Sequence, residues 1–147
     1  MILSNFKERL SELIFDAGLT IPTLAEAMGC NRSTLNRFMK GSRTPSVEFL
    51  IKLGDFFHCS VDYLIGLEDE TYTTSFLTPP PFSKRILELC EIFHATRYAI
   101  QHKTQISMAS IYTWEKSPRY PAIESLVRLA EFFDCSVDFV IGRSDMQ

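Results

Sequence analysis

No apolar run in this 147-residue chain approaches the roughly 20 residues that a membrane-spanning helix requires, so no bilayer span is expected. Residues 1–10 lack a basic-then-apolar leader pattern because Lys7, Glu8 and Arg9 interrupt it, which points to a cytoplasmic protein. An excess of positive charge is also missing. The net charge of −3 and pI of about 5.6 exclude a protein that coats nucleic acid with its whole surface. Cys30, Cys59, Cys90 and Cys135 lie far apart and form no C-x2-C pair, so neither a metal site nor a disulfide framework is implied. They read instead as buried, inert thiols. His58, His94 and His102 are scattered, and no Ser, His and acid set has hydrolytic spacing. With no cofactor-binding loop either, the sequence predicts no enzyme, no cofactor, no metal and no small-molecule ligand.

A hydrophobic content of 46% with 22% charged residues is that of a globular protein. The stretch that organises the chain is 20–41, TIPTLAEAMGCNRSTLNRFMKG. Thr20 suits an N-cap, Leu24 and Met28 give one apolar face at i, i+4, and Ala25 is small enough for a second helix to approach. Gly29 breaks this helix. Asn31 is placed to cap the next, whose Leu35 and Phe38 point inward while Ser33, Asn36, Arg37 and Lys40 face out. Two short helices joined by a tight turn form a helix-turn-helix, the shape whose second helix a DNA major groove receives. Charge agrees locally. Between Ala27 and Val47 stand four cations, Arg32, Arg37, Lys40 and Arg43, and no acid, although residues 1–67 carry 7 basic and 7 acidic side chains.

The motif Thr20-x3-Leu24-Ala25-x3-Gly29-x-Asn31-Arg32-Ser33-Thr34-Leu35, followed by Arg37-Phe38-x-Lys40-Gly41, Pro45-Ser46 and Ser60-Val61-Asp62-Tyr63-Leu64-Ile65-Gly66, resembles the lambda repressor-like (XRE) family. The resemblance implies a five-helix DNA-binding domain. Two departures stand out: Ile21 where the family commonly has Gln, and Phe38-Met39 where it has Trp with an acidic residue. Loss of the Gln removes a phosphate contact that the family implies and leaves the fold intact.

Asn5 with Glu8 is placed for a capping box on a first helix bearing Phe6, Leu10, Leu13 and Ile14. Ser46 caps a fourth helix with Val47, Leu50, Ile51, Leu53, Phe56 and Phe57 on its apolar side, and Ser60 caps a short fifth one ending at Gly66. A shift of 76 residues then reproduces the chain without a gap, from Phe6 on Phe82 to Gly66 on Gly142, with 19 of 61 positions identical. From Pro45 to Gly66, 12 of 22 positions match, but from Thr20 to Gly41 only Thr20 with Thr96 and Lys40 with Lys116 do. The scaffold was kept and the reading surface rewritten. Gln101, Thr104 and Gln105 replace Ala25, Met28 and Gly29, and polar groups there must find partners or leave the helix interface. The fold class predicted is therefore all-α, two tandem five-helix lambda repressor-like domains joined by an extended linker. Residues 1–67 form the helix-turn-helix domain, 68–81 the linker and 82–147 the divergent second domain. The linker carries Glu68, Asp69 and Glu70, a Thr-rich stretch and Pro79-Pro80-Pro81. Its acids would be repelled by phosphates, so it should run away from DNA, and Phe76 and Leu77 are available to contact one domain.

The function expected is a sequence-specific DNA-binding transcriptional regulator, a repressor, with double-stranded DNA as partner. The candidate contacts are Thr20, Asn31, Arg32, Ser33, Thr34, Asn36, Arg37, Lys40 and Arg43. A possible second DNA surface comprises Arg97, Ser107, Ser110, Tyr112, Thr113, Lys116 and Arg119, which offers phosphate contacts without an outward arginine on the second reading helix. The chain is expected to act as an intramolecular pseudo-dimer on two half-sites, or as a homodimer in which the second repeat pairs with another chain through Met108, Tyr112 and Phe139. The alternative is an antitoxin-like or dimerising interaction protein in which the second repeat binds protein.

Overall fold

The computed structural model describes residues 2–69 and 76–145. It falls into two compact units, Met1–Thr74 and Ser75–Gln147. The described residues of both are helical, with no strand. The first unit holds α1 (Phe6–Asp16), α2 (Ile21–Met28), α3 (Arg32–Lys40), α4 (Val47–Phe57) and α5 (Val61–Ile65). The second holds α6 (Phe82–Ile92), α7 (Arg97–Thr104), α8 (Met108–Lys116), α9 (Ile123–Phe133) and α10 (Val137–Ile141). Each helix of the second unit starts and ends 76 residues after one of the first, from Phe6 against Phe82 to Ile65 against Ile141.

In the first unit, Leu10, Leu24, Leu35, Leu50, Leu53 and Leu64 are fully buried, so each helix contributes to one core. Helix α1 packs on α5, α2 on α3, and α4 on α5. The second unit repeats the scheme with Phe82, Ile86, Leu89, Ile100, Ile111, Leu126 and Leu129.

Arg9 is only 9% exposed. Its guanidinium donates to the carbonyls of Tyr63 and Glu68, lies 4.5 Å from the Tyr63 ring, and meets Asp69 at 3.3 Å. Arg85 holds the same place in the second unit, donating to the Phe139 and Val140 carbonyls with its guanidinium 4.9 Å from the Phe139 ring. A buried arginine thus donates to carbonyls at the end of the short last helix of each unit. Ser60 Oγ donates to Glu68 Oε2 at 3.2 Å, so Glu68 and Asp69 are folded onto the first unit. On the second unit, the Leu77 N–H donates to the Arg143 carbonyl at 2.7 Å and the Phe76 ring lies 4.1 Å from the Arg143 guanidinium. Glu70 and the Thr-rich stretch 71–74 lie outside the described residues. Gly142, at φ +100°, lets Pro80 pack against the backbone; a Cβ there would come within 2.8 Å of the proline Cδ.

Several local expectations are corrected. Asn5 makes no side-chain cap bond, because its backbone (φ −102°, ψ 9°) lies away from the extended region from which an N-cap side chain reaches forward. Asn31 has the extended backbone of an N-cap, yet its exposed side chain makes no cap bond. Ser46 and Ser60 do cap α4 and α5, and Thr20 forms a reciprocal capping box with Thr23. Cys59 is fully buried, whereas Cys30, Cys90 and Cys135 are half-buried. Burial is the main influence raising the Cys90 thiol pKa, Glu115 adds to it and Arg97 opposes it, so the thiol is held protonated. Phe139 is unavailable as a protein surface: it is 5% exposed and packs edge-on against Phe93 at 6.0 Å.

The rewritten turn of the second unit survives. Thr104, buried at 7% exposure, donates to the Ile100 carbonyl at 2.6 Å and accepts from the Ile106 N–H at 3.2 Å. Gln105 turns outward and donates to the His102 carbonyl at 2.9 Å. It occupies the left-handed conformation (φ 64°) that Gly29 adopts at φ 70° in the first unit. An L side chain pays roughly 1–2 kcal/mol there. Gln105→Gly should therefore stabilise the protein by about 1 kcal/mol, read as a raised urea midpoint with an unchanged slope.

Candidate nucleic-acid interface

The Thr20–Thr23 box fixes the start of α2. The Thr20 N–H donates to Thr23 Oγ1 at 2.7 Å, and the Thr23 N–H donates to Thr20 Oγ1 at 3.3 Å. Gly29 in the left-handed conformation then reverses the chain, and the Cys30 N–H donates to the Ala25 carbonyl at 2.9 Å. This places α3 across α2 with Leu35 and Phe38 inward. Phe38 is held edge-on by two rings, Phe6 at 6.3 Å and Phe49 at 5.0 Å, so α3 is fixed to both α1 and α4. Rotation of α3 about its axis is thereby resisted, which fixes the residues it presents outward.

On that outer side, Arg32, Ser33, Asn36, Arg37 and Lys40 are exposed and Thr34 is half-buried. Asn31 is exposed ahead of the helix, and Arg43 is exposed in the turn after it. Gly41 ends the helix, and Ser42 donates to the Arg37 carbonyl through its N–H at 3.0 Å and its hydroxyl at 3.3 Å. Among the described residues, Arg32, Arg37, Lys40 and Arg43 form no ion pair. Four unneutralised guanidinium or ammonium groups on one helix and its following turn make a surface of strong local positive potential in a protein of net negative charge. A cleft of about 310 Å³ is lined by Lys7 and Glu8 from α1 together with Lys40 and Arg43. Thr20 is exposed, but its hydroxyl is already engaged in the α2 cap.

The candidate second surface is organised differently. Ser107 accepts from the Ser110 N–H at 3.1 Å and its hydroxyl lies 2.9 Å from that of Ser110; Thr113 donates to the Ala109 carbonyl at 2.9 Å. These hydroxyls serve their own helix. Arg97 is bound by both oxygens of Glu115 at 2.6 Å each, with its guanidinium 5.1 Å from the Tyr112 ring. The hydrogen bonds that Arg97 donates to Glu115 are the main cause raising the Arg97 pKa. Only Lys116 and Arg119 remain as exposed cations of the expected set. Among the described residues no group of three or more His, Cys, Asp or Glu side chains is placed to hold a metal ion. No described helix is long and apolar enough to cross a membrane.

No curated protein matches the chain. A crystal structure of a transcriptional regulator from Listeria innocua is similar at 25% identity over 86% of this chain and 92% of its own, with a TM-score of 0.39. The family model described as Helix-turn-helix matches residues 16–64, which contain α2, α3, α4 and most of α5. That part of the chain, which includes the cationic outer side of α3, is similar to helix-turn-helix domains.

Proposed function

We propose that this protein is a sequence-specific, DNA-binding transcriptional regulator in which α3 of the first unit enters the major groove. The observation that carries the reading is the outer side of α3: exposed Arg32, Asn36 and Arg37 on a helix whose opposite side is fixed by Leu35 and Phe38. Arginine and asparagine are the side chains that pair bidentately with guanine and adenine edges. Ser33 and Thr34 supply shorter contacts, and Asn31, Lys40 and Arg43 engage the phosphates. Thr20 acts by fixing the start of α2 beside the backbone. A domain of this size acts most directly by occupying its site and blocking other proteins, so repression in the cytoplasm is the expected mode.

The second unit is not a reader in this proposal. Its hydroxyls are internally bonded and its Arg97 is paired, while Tyr98 (68% exposed) and Tyr112 (46% exposed) offer the aromatic surface that protein interfaces favour. That assigns residues 1–67 to DNA and 82–147 to association with another chain, giving a homodimer.

Selection of binding sites from random duplexes by the full chain should return one preferred sequence arranged as an inverted repeat. A pool without a common sequence would refute specific reading; a single unrepeated site would refute the dimer. Replacing Lys116 and Arg119 with alanine should leave affinity for the selected site within about threefold of the parent, since neither is assigned a DNA contact.

A further inference from the structure

We infer that Glu115 is a specificity-determining residue that keeps the second unit off DNA by occupying the Arg97 guanidinium. The inference rests on the first unit being the DNA reader. Position for position, the two helix-turn-helices differ here in kind. Where the second has Arg97, Tyr112 and Glu115, the first has Ile21, Asn36 and Met39, each 76 residues earlier. The first unit therefore has no acid at the position of Glu115, and among the described residues Arg32, Arg37 and Lys40 of its reading helix form no ion pair. The second introduces a cation on the first residue of α7 and, from the last turn of α8, a carboxylate that binds it.

The geometry leaves Arg97 little to offer a phosphate. Both Glu115 oxygens sit 2.6 Å from its Nε and Nη2, a bidentate arrangement in which the two planar groups face each other. The Glu115 side chain is 12% exposed and therefore fixed by its surroundings, while that of Arg97 is 47% exposed. A backbone phosphate would have to displace this carboxylate or accept from the remaining donors across a neutralised pair. Tyr112 lies against the guanidinium, restricting the side chain further. The charge on this part of the second unit is cancelled where it would otherwise add sequence-independent affinity.

Such cancellation has a consequence for specificity. Each phosphate contact strengthens binding to every sequence alike. A second unit free to grip phosphates would raise affinity for non-target DNA as much as for the target. By silencing Arg97, Glu115 leaves discrimination to α3.

The test uses the full chain and two duplexes, the selected site and a scrambled one, with affinity measured by fluorescence anisotropy between about 50 and 200 mM salt. Glu115→Gln keeps the shape and removes the charge; Glu115→Met places there the residue found at the corresponding first-unit position. Both should tighten binding to the scrambled duplex about three- to tenfold at the lowest salt and steepen the salt dependence by about 0.9 in log–log slope, the value of one added phosphate contact. Arg97→Ala alone should leave affinity unchanged, and combined with Glu115→Gln should abolish the gain. The inference is overturned if Arg97→Ala weakens binding by itself, if the double variant retains the gain, or if the Glu115 variants bind as the parent does. Should one Glu115 variant fail to fold, the other supplies the gain-of-binding readout, and Arg97→Ala still overturns the inference if it weakens binding. Failure of the DNA-reading assignment itself shows separately, as a parent protein that does not distinguish the two duplexes.

Discussion

Changing Arg32 and Arg37 together to alanine is expected to lower affinity for the selected duplex by at least about 30-fold while leaving the fold in place. Each arginine projects from the outer side of α3, and neither has an ion-pair partner among the described residues. A bidentate guanidinium contact to a base edge discriminates by about 1–3 kcal/mol, so two such losses account for the expected change. Nothing in the core depends on these side chains, and substitutions of this kind usually stay within about ±0.5 kcal/mol in stability. Anisotropy titrations with thermal unfolding of the same samples check both halves of the expectation. The single variants separate the roles: loss of a base contact relaxes preference at one position of the site, whereas loss of a phosphate contact weakens all sequences evenly and lowers the salt slope by about 0.9. An unchanged affinity in the double variant, at an unchanged melting temperature, would remove α3 as the reader.

That α3 was legible in the sequence follows from two features that survive without tertiary information. Leu35 and Phe38 at i, i+3 define its inner side, and the absence of acids from Ala27 to Val47 marks its outer side. Helix positions were legible twice over, because the second half repeats the first at a fixed offset and a helical reading must satisfy both copies at once. What escaped depended on backbone angles or on contacts far apart in sequence. Asn5 and Asn31 have the composition of caps, but capping requires a side chain to meet a particular N–H, which residue type alone does not determine. Thr23, the second half of the α2 box, is not the Glu or Gln that usually signals this motif. The Arg97–Glu115 pair closes across 18 residues between two helices, and only their packing brings it together. Arg9 and Arg85 had a usable signal: a cation identical in both copies at the buried edge of an amphipathic helix.

Asp138→Ala should be the most damaging single substitution in the second unit, destabilising it by about 3–5 kcal/mol, because it strips the carboxylate from a cation with no access to water. Arg143 is 0% exposed and Asp138 is 2% exposed, and the two form an ion pair. The first unit shows what the surrounding scaffold requires without this pair. Asp62 stands at the equivalent acidic position and is buried, but the position of Arg143 is taken by Leu67, which is 47% exposed. The arginine is thus an addition of the second unit, and it holds the chain that enters that unit: Phe76 lies against its guanidinium and the Leu77 N–H donates to its carbonyl. Removing the carboxylate takes the Asp138 counter-charge from a buried guanidinium, which favours Arg143 swinging outward, releasing Phe76 and opening the end of α10. For a unit of this size each kcal/mol is worth roughly 4–8 °C in melting temperature, so a fall of at least ~12 °C is expected. Hydrogen exchange should show the loss in α9 and α10 while protection in α2 and α3 persists. Replacing both partners, Asp138→Ala with Arg143→Leu, should cost less than Asp138→Ala alone, since no uncompensated charge remains buried. A single variant that unfolds within about 1 kcal/mol of the parent, or a double variant worse than the single, would mean that the pair does not hold this end of the unit together.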